Sequence, residues 1–162
     1  MRNLEVKARD PDPGTTALAC ARLGAVEQGT LRQRDTYFAV RTGRLKLREQ
    51  EGEAELVYYE RPAVEGVRES RYERIPVDAA LGDVLANALG VVGVVEKRRR
   101  LFLYRGVRIH LDEVEGLGSF VELEAVEPPA GDGTLEQVMS ALGLDRRELI
   151  PDGYLDLFLS RP

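Results

Sequence analysis

The chain of 162 residues has one cysteine, one histidine and no tryptophan. With a single thiol, Cys20, neither an intramolecular disulfide nor a Cys-rich zinc site can form within a monomer, and a reducing, cytoplasmic setting is the expectation. The lone histidine, His110, excludes a His-rich metal centre. Long apolar runs are also missing. The longest, residues 89–95, is broken by Gly90 and Gly93 and falls far short of the roughly 20 residues that span a bilayer. Residues 1–7 alternate charged with apolar side chains and offer no continuous apolar region of a signal peptide, so neither membrane attachment nor export is expected. Positive charge is not in excess: 28 acidic residues against 23 basic leave a net charge of -5, which argues against nucleic acid as a partner. No Walker-type phosphate loop and no Rossmann glycine fingerprint occurs.

What is present is alternation. Hydrophobic residues make up 43% and charged residues 31% of a length that suits a single domain, residues 1–162. Leu4, Val6 and Ala8 oppose Asn3, Glu5, Lys7 and Arg9, and the same period of two predicts strands at 30–40, 44–50, 54–61, 68–77, 94–104, 107–114 and 119–126. Thr42-Gly43, Glu51-Gly52 and Arg105-Gly106 supply turns too short for parallel crossovers. A helix is expected over 15–24, capped by Thr15 or Thr16 and stopped by Gly24. Another is expected from Asp78 to Leu89, and two short ones at 135–142 and 155–159. Pro128-Pro129 and Gly131–Gly133 end the strands. Eight strands joined mostly by short turns point to an α+β fold, mainly antiparallel β. The leading architecture is an eight-stranded closed barrel with a few helices packed outside; the alternative is an open antiparallel sheet with helices on one face.

The polar faces carry the chemistry. In residues 44–48, Arg44, Lys46 and Arg48 oppose Leu45 and Leu47; Lys97 and Arg99 share a face; Arg108, His110 and Asp112 oppose Val107, Ile109 and Leu111; Glu122 and Glu124 oppose Val121, Leu123 and Ala125. On one strand alone, such a face is ordinarily solvated. As a set, the strands concentrate cations in the middle of the chain and carboxylates on the first and last strands. If the apolar faces lie outward under helices, these charges point into a barrel where each unpaired ion costs several kcal/mol. Such an interior calls for an anionic ligand, and a polyphosphate with a divalent cation suits it. His110 reads as a packed or solvent-facing strand residue rather than a catalyst.

Across nearly its whole length the sequence resembles the CYTH, or triphosphate tunnel metalloenzyme, family, and within it the class IV adenylyl cyclase branch. The resemblance rests on Asn3-Leu4-Glu5-Val6-Lys7, similar to the family's Glu-x-Glu-x-Lys strand, and on Asp35-Thr36-Tyr37-Phe38, Leu45-Lys46-Leu47-Arg48 and Glu96-Lys97-Arg98-Arg99. It continues through Arg108-Ile109-His110-Leu111-Asp112, residues 117–124 and Tyr154-Leu155-Asp156-Leu157. It implies a triphosphate tunnel in which Lys7, Lys46, Arg48, Lys97, Arg99 and Arg108 hold phosphate oxygens. Mg2+ or Mn2+ would be held by Glu5, Glu122 and Glu124, with Asp112 at the metal or positioning Arg108. Glu5, Lys97 and Arg99 would carry catalysis. One departure stands out: Asn3 replaces the first Glu of the signature, removing a charged oxygen ligand from the implied metal site.

Three functions follow from that resemblance, the cyclase leading and the other two as alternatives. A cyclase would convert ATP to cyclic AMP and pyrophosphate; a hydrolase would release orthophosphate from tripolyphosphate, thiamine triphosphate or a nucleotide; a module without turnover would only bind triphosphates. A cyclase must hold a base, and Tyr37, Phe38, Tyr59 and Tyr154 are candidates for that wall as well as for ordinary packing. A homodimer is a further expectation from the family.

Overall fold

The structure, a computed structural model, describes residues 2–60, 66–126 and 132–162. The strands are β1 (Arg2–Arg9), β2 (Val26–Phe38), β3 (Arg44–Gln50), β4 (Glu53–Glu60), β5 (Arg68–Val77), β6 (Val91–Tyr104), β7 (Val107–Val114) and β8 (Gly118–Val126). Every pairing is antiparallel. The order β1-β5-β4-β3-β2-β6-β7-β8 returns to β1, so the sheet is a closed barrel rather than the open alternative. Closure leaves no edge strand. Arg61 and the Pro128-Pro129 pair, which entered the expectations, lie outside the described residues.

Turn chemistry sets the register. Glu51 and Gly52 take φ of 50° and 83°, Arg105 and Gly106 of 45° and 80°. Both two-residue loops therefore have positive φ at each central position, as the type I′ turn that matches strand twist requires. β2 and β6 begin earlier than their alternation suggests, at Val26 and Val91, because they pair with each other along nearly their full length, with a register shift between Glu27 and Gly29. Their added ends are exposed, so burial left no pattern there to read.

The apolar faces do turn outward. Val6, Ile109, Leu111, Val121 and Leu123 on the barrel's outer surface pack against Cys20 of α1 (Pro13–Leu23) and Leu135 and Val138 of α3 (Thr134–Ala141). Each large side chain buried there contributes roughly 1.5–3 kcal/mol, which offsets the cost of a polar lumen. α2 (Leu81–Leu89) lies close over Leu47: a Cβ on Gly82 would meet Leu47 Cδ2 at 2.9 Å, so any larger residue there would make the leucine side chain shift.

α1 starts ahead of the expected residue 15. Its cap is Asp12, not Thr15 or Thr16: Asp12 Oδ1 accepts from Thr15 N at 3.1 Å, and Pro13 fills the first helical position, where its missing N–H costs nothing. α4 (Tyr154–Leu159) closes one mouth of the barrel, with Tyr154 and Leu155 buried and the Tyr154 ring edge-on to Phe120 at 5.1 Å. Among the described residues, no helix is long and apolar enough to cross a membrane.

Candidate active site

Strand alternation delivers the charges inside. Lys7, Lys46, Arg48, Lys97, Arg99, Glu5, Asp112 and Glu122 are all buried, none more than 9% exposed. Arg98 and Arg100, one residue out of phase with Arg99, are exposed and half-buried respectively and paired with Glu113 and Glu27 on the outer surface.

Asp35 on β2, fully buried, gathers three cations. Arg48 donates to both of its oxygens at 2.7 Å, Lys46 reaches Oδ2 at 2.9 Å and Lys97 reaches it at 3.2 Å. Burial works against the carboxylate's charge, but Arg48, Lys46 and Lys97 together outweigh it and hold Asp35 well below the usual carboxylate range. One negative charge against three positive ones leaves this wall in positive excess. Its lysines show the strain: burial, with Arg48 beside it, pushes Lys46 well below the ordinary lysine range, and burial brings Lys97 down to about 8 despite Asp35.

A second hub lies on β6 and β7. Arg99 donates to Asp112 twice at 2.7 Å, and Tyr154 Oη donates to Asp112 Oδ2 at 2.6 Å. Asp112 is thus engaged in fixing Arg99 and the closing helix. Lys7 Nζ donates to the Asp152 carbonyl at 3.0 Å and stands 3.4 Å from Glu122 Oε2. Burial opposes the Glu122 charge, yet Lys7, His110 and Arg99 keep its carboxyl well below the ordinary glutamate value.

Strand order gives these groups opposite positions. β1 and β8, which carry Glu5, Glu122 and Glu124, are adjacent; β2, β3 and β6, which carry the Asp35 cluster, lie across the barrel from them. A positive wall therefore faces a carboxylate wall. The lumen has two halves that share Arg48, Arg74, Arg99 and Glu124 as a waist. The half toward α4 is lined by Lys7, Lys46 and Lys97; the wider half, about 470 Å³, opens past Gln33, Gln50, Arg108 and His110.

The chain belongs to the CYTH domain family. The family model matches residues 1–154, nearly the whole sequence. None of the curated proteins matches it. Among solved structures, the PH1012 protein of Pyrococcus horikoshii OT3 is 25% identical, with a TM-score of 0.83 over 96% of this chain and 98% of that one. A putative adenylyl cyclase of Hippeastrum, described as revealing a dominant triphosphatase activity, is 19% identical, with a TM-score of 0.71 over 98% and 95% of the two chains. A putative adenylate cyclase of Vibrio parahaemolyticus is 16% identical, with a TM-score of 0.73 over 98% of each. These likenesses support the CYTH barrel and its architecture.

Within that CYTH barrel, the charged residues singled out from the sequence converge on the lumen, with one exception in degree. The Arg108 side chain is 41% exposed at the wider mouth, 3.8 Å from Glu124. The aromatic candidates do not form one wall. Tyr37 and Phe38 are neighbours on a strand and point to opposite faces, Tyr37 into the lumen and Phe38 outward beside Leu45. Two lumen features escaped the sequence. Asp35 sits in a quoted motif with no role attached, though its phase with Gln33 and Tyr37 places it inside. His110 is a buried lumen residue, 3.3 Å from Glu122.

CYTH proteins use divalent cations, and the carboxylate wall fits one. Glu122, Glu124 and His110 each offer a donor atom within 4.8 Å of the others, and buried Asn3 Oδ1, on the same half of the lumen as both glutamates, has no hydrogen-bond partner.

Proposed function

We propose that this protein is a divalent-cation-dependent enzyme that hydrolyses a triphosphate. The observation that carries the reading is the positive wall around Asp35 facing the carboxylate wall of β1 and β8. Three buried cations on one carboxylate leave charge for phosphate oxygens to neutralise, and charge-assisted bonds of this kind are the strong ones. Lys46, Arg48 and Lys97 would hold the phosphate chain on one side and Lys7 and Arg99 on the other, with Asp35 and Asp112 fixing their geometry. Glu5, Glu122 and Glu124 would hold the cation, which when bound draws charge from the phosphate oxygens. Water would attack the terminal phosphorus, the bridging P–O bond would break, and the diphosphate would leave with the electron pair while the water proton passes to solvent. Charge then grows on the leaving oxygen, where Lys97 and Arg99 stabilise it electrostatically.

The preference for hydrolysis over cyclisation comes from the tyrosines. Tyr154 is committed to Asp112 and Phe120, and Tyr37 to Tyr59, which leaves them as packing around phosphate sites. Cyclisation of ATP is favoured by a different feature, the wider half of the lumen, whose Leu31, Leu101, Gln33 and Gln50 offer an apolar and amide lining for a base. Phosphorus NMR with tripolyphosphate and, separately, ATP distinguishes the two. Orthophosphate from tripolyphosphate supports hydrolysis, cyclic AMP with pyrophosphate from ATP supports cyclisation, and binding without turnover under Mg2+ or Mn2+ rejects both.

A further inference from the structure

We infer that His110, Glu122 and Glu124 form a divalent-cation site with one nitrogen and two carboxylate donors, and that His110 makes the site select a first-row transition ion over magnesium. The inference deepens the proposed function by naming the ion. His110 and Glu122 are directly opposite on the β7–β8 ladder, and Glu124 is the next inward residue of β8. Their donor atoms already lie within 4.8 Å of one another, so side-chain shifts of about 1 Å bring them to metal-ligand distances near 2.1 Å.

Glu122 has room for the ion. His110 Nδ1, Lys7 Nζ and Arg99 Nη2 stand off at 3.3, 3.4 and 3.5 Å, beyond the roughly 2.7–2.9 Å of a made charge-assisted bond. Asp35 and Asp112 hold their arginines at 2.7 Å in the same lumen, closer than the cations stand to Glu122. Glu124 likewise stands 3.8 Å from Arg108. Two neighbouring carboxylates inside a barrel repel, and a cation between them removes that cost. Asn3 Oδ1, buried without a hydrogen-bond partner, lines the half of the lumen that Glu122 and Glu124 also line, and His110 lines the other half.

The donor type sets the preference. Magnesium demands oxygen ligands and dehydrates reluctantly, whereas imidazole nitrogen suits first-row transition ions. His110 supplies such a nitrogen to this site, which moves its preference away from magnesium.

The test uses the tag-free protein and Mn2+ alone, with no triphosphate. Because His110 is the chain's single histidine, an imidazole nitrogen coupling in the pulsed EPR of bound Mn2+ assigns itself. The expected result is that coupling, Mn2+ binding at least 10-fold tighter than Mg2+ by competition, and loss of both in His110→Gln. Bound Mn2+ without the nitrogen coupling, absence of binding, or equal Mn2+ and Mg2+ affinities in the unaltered protein would overturn the inference, and none of these readings depends on a variant that folds. Phosphate release is scored separately. Turnover without the coupling rejects this site alone, and coupling without turnover rejects the proposed reaction alone.

Discussion

Arg99 and Asp112 stand opposite each other on the β6–β7 ladder, and their side chains meet in two parallel hydrogen bonds of 2.7 Å inside the barrel. The adjacent pair on the same two strands, Arg98 and Glu113, makes an equally short contact on the outside, where both side chains are more than half exposed. The same chemistry therefore has two different energetic consequences within one ladder step.

Asp112→Ala leaves Arg99 buried without its carboxylate and is expected to destabilise by about 3–5 kcal/mol. Arg98→Ala is expected to change stability by about 0.5 kcal/mol or less. Urea unfolding of the two variants measures both, and similar losses would contradict the difference in burial.

Asp35→Asn strips the charge that gathers Lys46, Arg48 and Lys97. The ligand-free variant is expected to lose about 3–5 kcal/mol. Added tripolyphosphate should restore more stability to it than to the unaltered protein, because the anion replaces the missing charge. Thermal melts at increasing tripolyphosphate read this directly; equal stabilisation of both proteins would remove the phosphate chain from the Asp35 cluster.

Lys97, brought down to about 8 by burial, gives opposite pH trends for stability and binding. Between about 8 and the ordinary lysine value near 10.5, the unfolded chain holds a proton that the folded chain has released, so this group's contribution to stability rises with pH across that window. Triphosphate binding needs the proton and should weaken as pH rises through about 8. Lys97→Met should flatten both trends and raise the Tm of the ligand-free protein at neutral pH, by roughly 3 °C per kcal/mol relieved. It should also weaken tripolyphosphate by about 10-fold or more. Calorimetric titrations at pH 7 and 9 check the binding arm.

Asn3→Glu returns a carboxylate to the lumen beside Glu5 and Glu124. Tighter divalent binding is expected, with the gain larger for Mg2+ than for Mn2+, since a hard oxygen ligand is what is added. Glu122→Gln should abolish divalent-dependent phosphate release while the melting curve stays cooperative. Isothermal titration with each ion, and a turnover assay, decide the two cases.

Much of the barrel was legible because strand alternation is local: Leu45 and Leu47 against Lys46 and Arg48 already divide one strand into an outer and an inner face. Boundaries failed where pairing rather than burial extends a strand, as at Val26 and Val91. The Asp12 cap was missed in favour of two threonines that lie inside the first turn.

Local pattern is enough to specify which residues share a face, where the hairpins turn and that carboxylates and cations segregate along the chain, because periodicity and turn conformation depend on neighbours a few residues apart. Which faces meet is a property of the closed barrel. Closure of β8 onto β1 sets Lys7 against Glu122, the β2–β6 pairing brings Lys97 to Asp35 across 62 positions, and the β7–β8 register seats His110 beside Glu122. Those contacts follow from how far around a barrel each strand lies, a distance that no local pattern encodes.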